Sequence, residues 1–257
     1  MTRTESAATD ELKIERQQDV WHLTLQRADK GNALSAQLIA ALTAAVDAAG
    51  AANIRLLVIS GAGKHFCTGF DLSNLDQEND DTLLARFVRV ELLLQAIYAA
   101  PFSTLALAKG RTMGAGADLF SACAERWIVG DATFAFPGAA FGIVLGTARL
   151  ADTVGPMQAR RWIEGGAAID SATAIHTGLA TQRLDASTLD AELDRLIERI
   201  KRLDGSTQRA VHDAIDSSRR CRADAGDAQD LKRLAQSAAR PGLCERIRAY
   251  RAAQKKM

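Results

Sequence analysis

Two stretches of this chain, residues 54–61 ("IRLLVISG") and 103–110 ("STLALAKG"), are almost continuously apolar and end in glycine. Apolar runs without alternation fit strands covered on both faces, as in a parallel sheet flanked by helices. The sequence between them supplies a helix: apolar residues recur at helical spacing from about 82 to 99, and Pro101 closes the pattern. Residues 34–49 form another amphipathic helix with Ser35 as its N-cap. Residues 11–16 and 19–26 alternate apolar and polar, as the arms of a hairpin turning at Gln18-Asp19. Beyond the second run, the pattern predicts a helix at about 116–124, short strands at 126–130 and 133–137, and a loop and helix over 150–166. Strands alternating with helices imply an α/β core built of crossover units. From Leu189 onward the pattern is helical and forms a separate, smaller layer, with amphipathic faces for solvent or a subunit contact. The exception is 217–229, "SSRRCRADAGDAQ", which has no apolar face and reads as a loop or frayed turn.

The balance of charge narrows the function. Thirty-two basic and 31 acidic residues in a chain of 257 give a net charge of +1. Neither nucleic acid nor a membrane surface is the expected partner, since either calls for a basic excess or patch. Four scattered cysteines, no CxxC pair and four histidines fit reduced thiols and no metal site. The opening "MTRTESAATD" lacks the apolar segment of a secretory signal, and no apolar run approaches the ~18 residues of a membrane span. A soluble cytoplasmic protein is expected.

The chemistry concentrates after the two apolar runs. "RTMGAGADLFSA" (111–122) places three small residues before Asp118 and a helix. A dinucleotide fingerprint fails here, because Leu119 stands where a third glycine is required. Tight helix–sheet packing is one alternative for the small residues, and Asp118 can serve simply as an acid at a helix N-terminus. "KHFCTGFDL" (64–72) repeats the arrangement, with Gly69 followed by Asp71 and Leu72. Two strand–turn–helix junctions of this kind can aim backbone N–H groups into one cleft, an arrangement that stabilises an enolate or thioester oxyanion. His65 reads as a solvated loop residue, Cys67 as a small buried apolar residue, and Tyr250 as a packing residue. Ser103 and Ser171 lack His/Asp partners in a recognisable order.

"HFCTGFDLSNL" (65–75) and "ALAKGRTMGAGADLFSACAERWIVGDATFAFP" (106–137), in that order and spacing, resemble the crotonase, or enoyl-CoA hydratase/isomerase, superfamily. The resemblance extends from "RADKGNAL" (27–34) to "TAIHTGLATQRLD" (173–185). It implies a spiral of ββα units over 1–195 and a helical trimerisation region over 196–257, assembled as a homotrimer or a dimer of trimers. It also implies an acyl-CoA substrate, with CoA arriving as part of it and no other cofactor. Phe70 and Ala115 match the two oxyanion amides, and Asp118 matches the first catalytic acid, with aspartate in place of glutamate. Lys30, Thr68, Gly69, Asp71 and Leu72 fall in segments that hold CoA, and Gly114 lies beside the second amide. Gly138 occupies the position of the second acid, so that acid is absent; the segment after it (139–150) is about two residues shorter than usual. One acid favours a one-base proton shuttle, such as double-bond isomerisation, over hydration. A non-catalytic acyl-CoA binder and a naphthoate-synthase-like carbon–carbon bond enzyme, with bicarbonate standing in for the missing carboxylate, stay open as alternatives.

Overall fold

The computed structural model describes residues 5–222 and 226–254. Seven strands form one sheet in chain order: β1 (Glu5–Thr9), β2 (Leu12–Gln17), β3 (Val20–Leu25), β4 (Leu56–Gly61), β5 (Ser103–Met113), β6 (Glu125–Ala135) and β7 (Gln182–Leu184). The first three pair antiparallel, and every pair from β3 to β7 is parallel. The hairpin is the expected one, with Gln18 taking positive φ at its turn. Parallel neighbours need crossovers. Helices α1 (Ala36–Ala51), α2 (Asp80–Tyr98) and α3 (Ala115–Ala122) supply the first three. The Ser35 side chain caps α1 by accepting from the Leu38 N–H, and Asn79 makes a capping box with Thr82 at the start of α2.

The continuous apolar runs have the expected cause. Along β4, Leu57 and Ile59 enter the core beneath α1–α3, while Leu56 and Val58 pack on the opposite face with Trp127 and Leu196. Leu196 belongs to α7 (Leu189–Lys201), which covers that second face. The helical tail is therefore split: α9 (Gly226–Ala238) and α10 (Leu243–Gln254) lie over α2 and the turn at 137–141. Before them in the chain, α8 (Gly205–Arg222) is tied down by Gln208, which bonds Arg55 and Ser103.

Three expectations are corrected. The two short strands at 126–137 are one strand, β6, which passes through Gly130 at φ +74°; Arg183 Nε holds the Gly130 carbonyl at 2.8 Å. The loop and helix at 150–166 are two helices, α4 (Thr147–Val154) and α5 (Pro156–Gly165), broken at Gly155-Pro156. The remaining helix, α6 (Ser171–His176), precedes β7. The loop expected over 217–229 is helical within its described residues, which extend α8 to Arg222 and open α9 at Gly226.

Candidate functional site

The segment after β4 does not lead into a helix, contrary to the expectation from its glycine turn. Residues 67–70 pair with neighbours on two sides through isolated bridges, Cys67 with Thr112 and Phe70 with Leu34. Leu34 N–H donates to the Gly69 carbonyl (2.8 Å), and Asp71 N–H donates to the Leu34 carbonyl (3.1 Å). That bridge leaves the Phe70 N–H turned away from Leu34. The Phe70 ring is clamped, stacked on Phe87 at 4.2 Å and covered by the Arg86 guanidinium at 4.2 Å.

The second junction is a strand–helix turn as expected. Gly114, at φ +51°, is the N-cap of α3 and donates its N–H to the Ala135 carbonyl. Ala115 opens the helix, so its N–H has no intrahelical acceptor. The two segments meet closely. A Cβ built on Gly69 would lie 2.7 Å from the Met113 carbonyl oxygen and 3.6 Å from the Ala115 nitrogen. Gly69 also sits at φ +100°, where a side chain is strained. Gly69→Ala is therefore expected to destabilise the protein by about 1–3 kcal/mol. Thermal melts check this.

Both segments line a cavity of about 390 Å³, together with Asp118, Gly138, Phe141, Ile143, Thr147 and Tyr250. Thr68, Gly69, Phe70, Leu72, Gly114, Ala115, Asp118 and Gly138 are thus brought together. Asp71 is not in this wall. Burial pushes its carboxyl up, but hydrogen bonds from Ser73 and Arg27 outweigh that and hold it below the usual range. Lys30 is likewise outside, exposed on a short turn whose carbonyl accepts from Thr68 Oγ1 at 3.4 Å. His65 Nδ1 accepts the Arg111 N–H (3.0 Å) and braces the turn. Cys67 is buried, and burial pushes its thiol up to about 12. The Ser171 hydroxyl is consumed by the backbone of Ala132, and Ser103 Oγ accepts from Gln208.

Asp118 is 7% exposed and is the only acid among the described residues lining the cavity. Burial pushes its carboxyl well above the usual carboxylate range; Arg149 opposes the shift and Glu91 adds to it. Among the described residues it receives no hydrogen bond from a protein group. Gly138 is the second residue of a one-turn segment, Pro137–Phe141, and a Cβ there would meet only Ile143, no closer than 3.4 Å. A larger cavity of about 560 Å³, beside Tyr98, Cys123 and His212, contains neither glycine turn. Among the described residues, no group of three or more His, Cys, Asp or Glu is placed to hold a metal ion, and no helix is long and apolar enough to cross a membrane.

Several wall and support residues are not legible from the sequence motifs. Tyr250 and Gln254 reach the cavity from α10, and the Tyr250 ring packs on Phe141 at 5.2 Å. Behind Asp118, Arg149 Nη1 donates to Glu91 Oε1 at 2.9 Å while Nη2 donates to Oε2. Gln95 Nε2 adds a bond to Glu91 at 2.7 Å. Glu91 carries a readable signal, since it falls on the buried stripe of α2 beside Val90 and Leu94.

Comparison with known proteins agrees with this architecture. Residues 15–246 match the family model described as enoyl-CoA hydratase/isomerase. A Mycobacterium bovis protein named "Probable enoyl-CoA hydratase echA6" is 33% identical over 202 residues, covering 73% of this chain and 81% of that one. A Bordetella parapertussis crystal structure bearing an enoyl-CoA hydratase/isomerase name superposes with TM-score 0.88 at 42% identity, covering 94% of this chain and 98% of that one. Mouse ethylmalonyl-CoA decarboxylase is 28% identical over 190 residues, covering 72% of this chain and 59% of its own. With its α/β spiral, its paired turns and these matches, the chain belongs to the enoyl-CoA hydratase/isomerase family of the crotonase superfamily.

Proposed function

We propose that the protein is an acyl-CoA enzyme that holds the thioester oxygen between the N–H groups of Phe70 and Ala115 and moves one proton with Asp118. The observation that carries this reading is the close approach of Gly69 to Ala115 in a cavity whose described lining holds one carboxyl group. Donors placed this way are worth roughly 3–4 kcal/mol each to an oxyanion. No group besides the CoA of the substrate is needed. In the forward direction, the Asp118 carboxylate removes the α-proton of a β,γ-enoyl thioester. The electron pair enters the carbonyl as an enolate. The same carboxyl then returns the proton to the γ-carbon, leaving the α,β-enoyl thioester. Hydration needs a second group to hold and activate water, and Gly138 cannot do so. The apolar wall of Phe87, Phe141, Ile143 and Leu145 suits an uncharged acyl chain.

The neutral carboxyl favoured by Asp118's burial supports one further reading. Loss of CO₂ from a malonyl-type thioester also leaves an enolate that a single acid protonates, and the mouse relative bears a decarboxylase name. The test is a panel of β,γ-hexenoyl-CoA, crotonyl-CoA and ethylmalonyl-CoA, followed by thioester absorbance and mass spectrometry. Isomerisation is expected to exceed hydration at least about tenfold. Faster hydration refutes the one-carboxyl assignment, release of CO₂ moves the assignment to decarboxylation, and tight binding without turnover of any thioester makes the protein a binder.

A further inference from the structure

The Asp118 carboxyl rests against the start of α4. A Cβ built on Gly146, the N-cap of that helix, would lie 2.3 Å from Asp118 Oδ1, 2.8 Å from its Cγ and 3.2 Å from its Cβ. No L side chain fits that space. Gly146 also adopts φ +63°, so its backbone already occupies the region that favours glycine. Three residues on, Arg149 lies 3% exposed and forms its two-pronged bond to Glu91, itself 1% exposed on α2. That pair fixes the start of α4 against α2, and Asp230 of α9 adds a contact to Arg149 Nη1 at 3.6 Å.

We propose that Gly146 is a positioning residue for the Asp118 carboxyl: it forms the seat against which the carboxyl is lodged, and the Arg149–Glu91 pair holds that seat in place. This inference rests on Asp118 being the proton carrier of the proposed reaction. The seat has two consequences. It restricts the carboxyl to one direction, since the Gly146 backbone closes the space behind it. It also places the carboxyl at the N-terminal end of α4, where helix N–H groups favour negative charge against the cost of burial. The charged groups facing the carboxyl are Arg149 from α4 and Glu91 from α2; Asp230 acts through Arg149.

Two substitutions separate the contact from backbone strain. Gly146→Ala adds a Cβ and strains the turn, whereas Gly146→Asn adds the Cβ but tolerates a left-handed backbone. Both are expected to lower kcat for β,γ-hexenoyl-CoA about tenfold or more, because the carboxyl is displaced. Binding of hexanoyl-CoA, measured by calorimetry, should stay within about twofold. The acid limb of the pH–rate profile should move to higher pH as the carboxyl leaves the helix end. In melts, Asp118→Ala should recover much of the stability lost to Gly146→Ala, because it removes the Oδ1 and Cγ contacts. A folded Gly146→Asn variant with wild-type kcat and pH profile overturns the proposal, as does a Gly146→Ala loss of stability unchanged by Asp118→Ala. Failure of the underlying reading looks different: Asp118→Asn then retains full activity, whatever the Gly146 variants do.

Discussion

Asp118→Asn is expected to reduce kcat about 10²–10⁴-fold, the range for removing a general acid or base, with little change in acyl-CoA affinity. Asparagine keeps the volume of the side chain in a cavity of about 390 Å³ but cannot exchange a proton. The same substitution is expected to stabilise the protein at neutral pH. Burial pushes the folded carboxyl well above its unfolded value, so between those two pKa values the folded state binds more protons than the unfolded one. Stability therefore falls as pH rises through that window, by roughly 1.4 kcal/mol for each pH unit separating the two pKa values. Melting curves from pH 4 to 8 should show the asparagine variant gaining on wild type as pH increases. Unchanged activity would remove Asp118 from the reaction, and parallel melting curves would mean that its carboxyl is not disfavoured by folding.

Glu91→Ala is expected to cost about 3–5 kcal/mol, because it strands the buried Arg149 guanidinium without its carboxylate. The Nε of Arg149 already lacks a partner in its buried site, and Asp230, 3.6 Å from Nη1, is the remaining close carboxylate among the described residues. A loss of that size lowers Tm by roughly 10 °C in a chain of this length. Replacing both members, Glu91→Leu with Arg149→Met, should recover most of it, since an apolar pair avoids the desolvation penalty. Urea and thermal melts of the two variants beside the wild type decide the matter. If Glu91→Ala costs under about 1 kcal/mol, the pair is not the anchor of α4.

Much of the fold can be read from local pattern. The runs at β4 and β5 are apolar throughout because Leu57 and Ile59 face one core and Leu56 and Val58 the other. Ser35 and the glycine turns are legible for the same local reason. What local pattern does not carry is pairing at a distance. Nothing near Gly69 signals that Leu34 holds Phe70 in an isolated bridge rather than letting a helix begin. The break that Gly130-Asp131 suggests is spanned because β5 and β7 flank that strand and Arg183 holds its carbonyl. The two helices over 147–165 are signalled by Gly155-Pro156, a glycine stop followed by a first-turn proline, although the same dipeptide also suits a loop. Gly138 is legible as the position where the family resemblance implies an absent acid. Its counterpart, the seat made by Gly146, is not, because the contact joins two helices that local spacing does not relate.

The strands enter the sheet in the order in which they occur in the chain, so each new strand can add to a neighbour already in place. During synthesis, chains fold from the N-terminal side, and such a sheet can grow as the polypeptide emerges. The cavity cannot be completed on that schedule. Its outer wall includes Tyr250 and Gln254, and α10 is held down late, with Asp80 bonding the N–H groups of Gly242 and Cys244 and Arg251 bonding the Leu72 carbonyl. A nascent chain of this kind acquires its architecture well before this cavity closes.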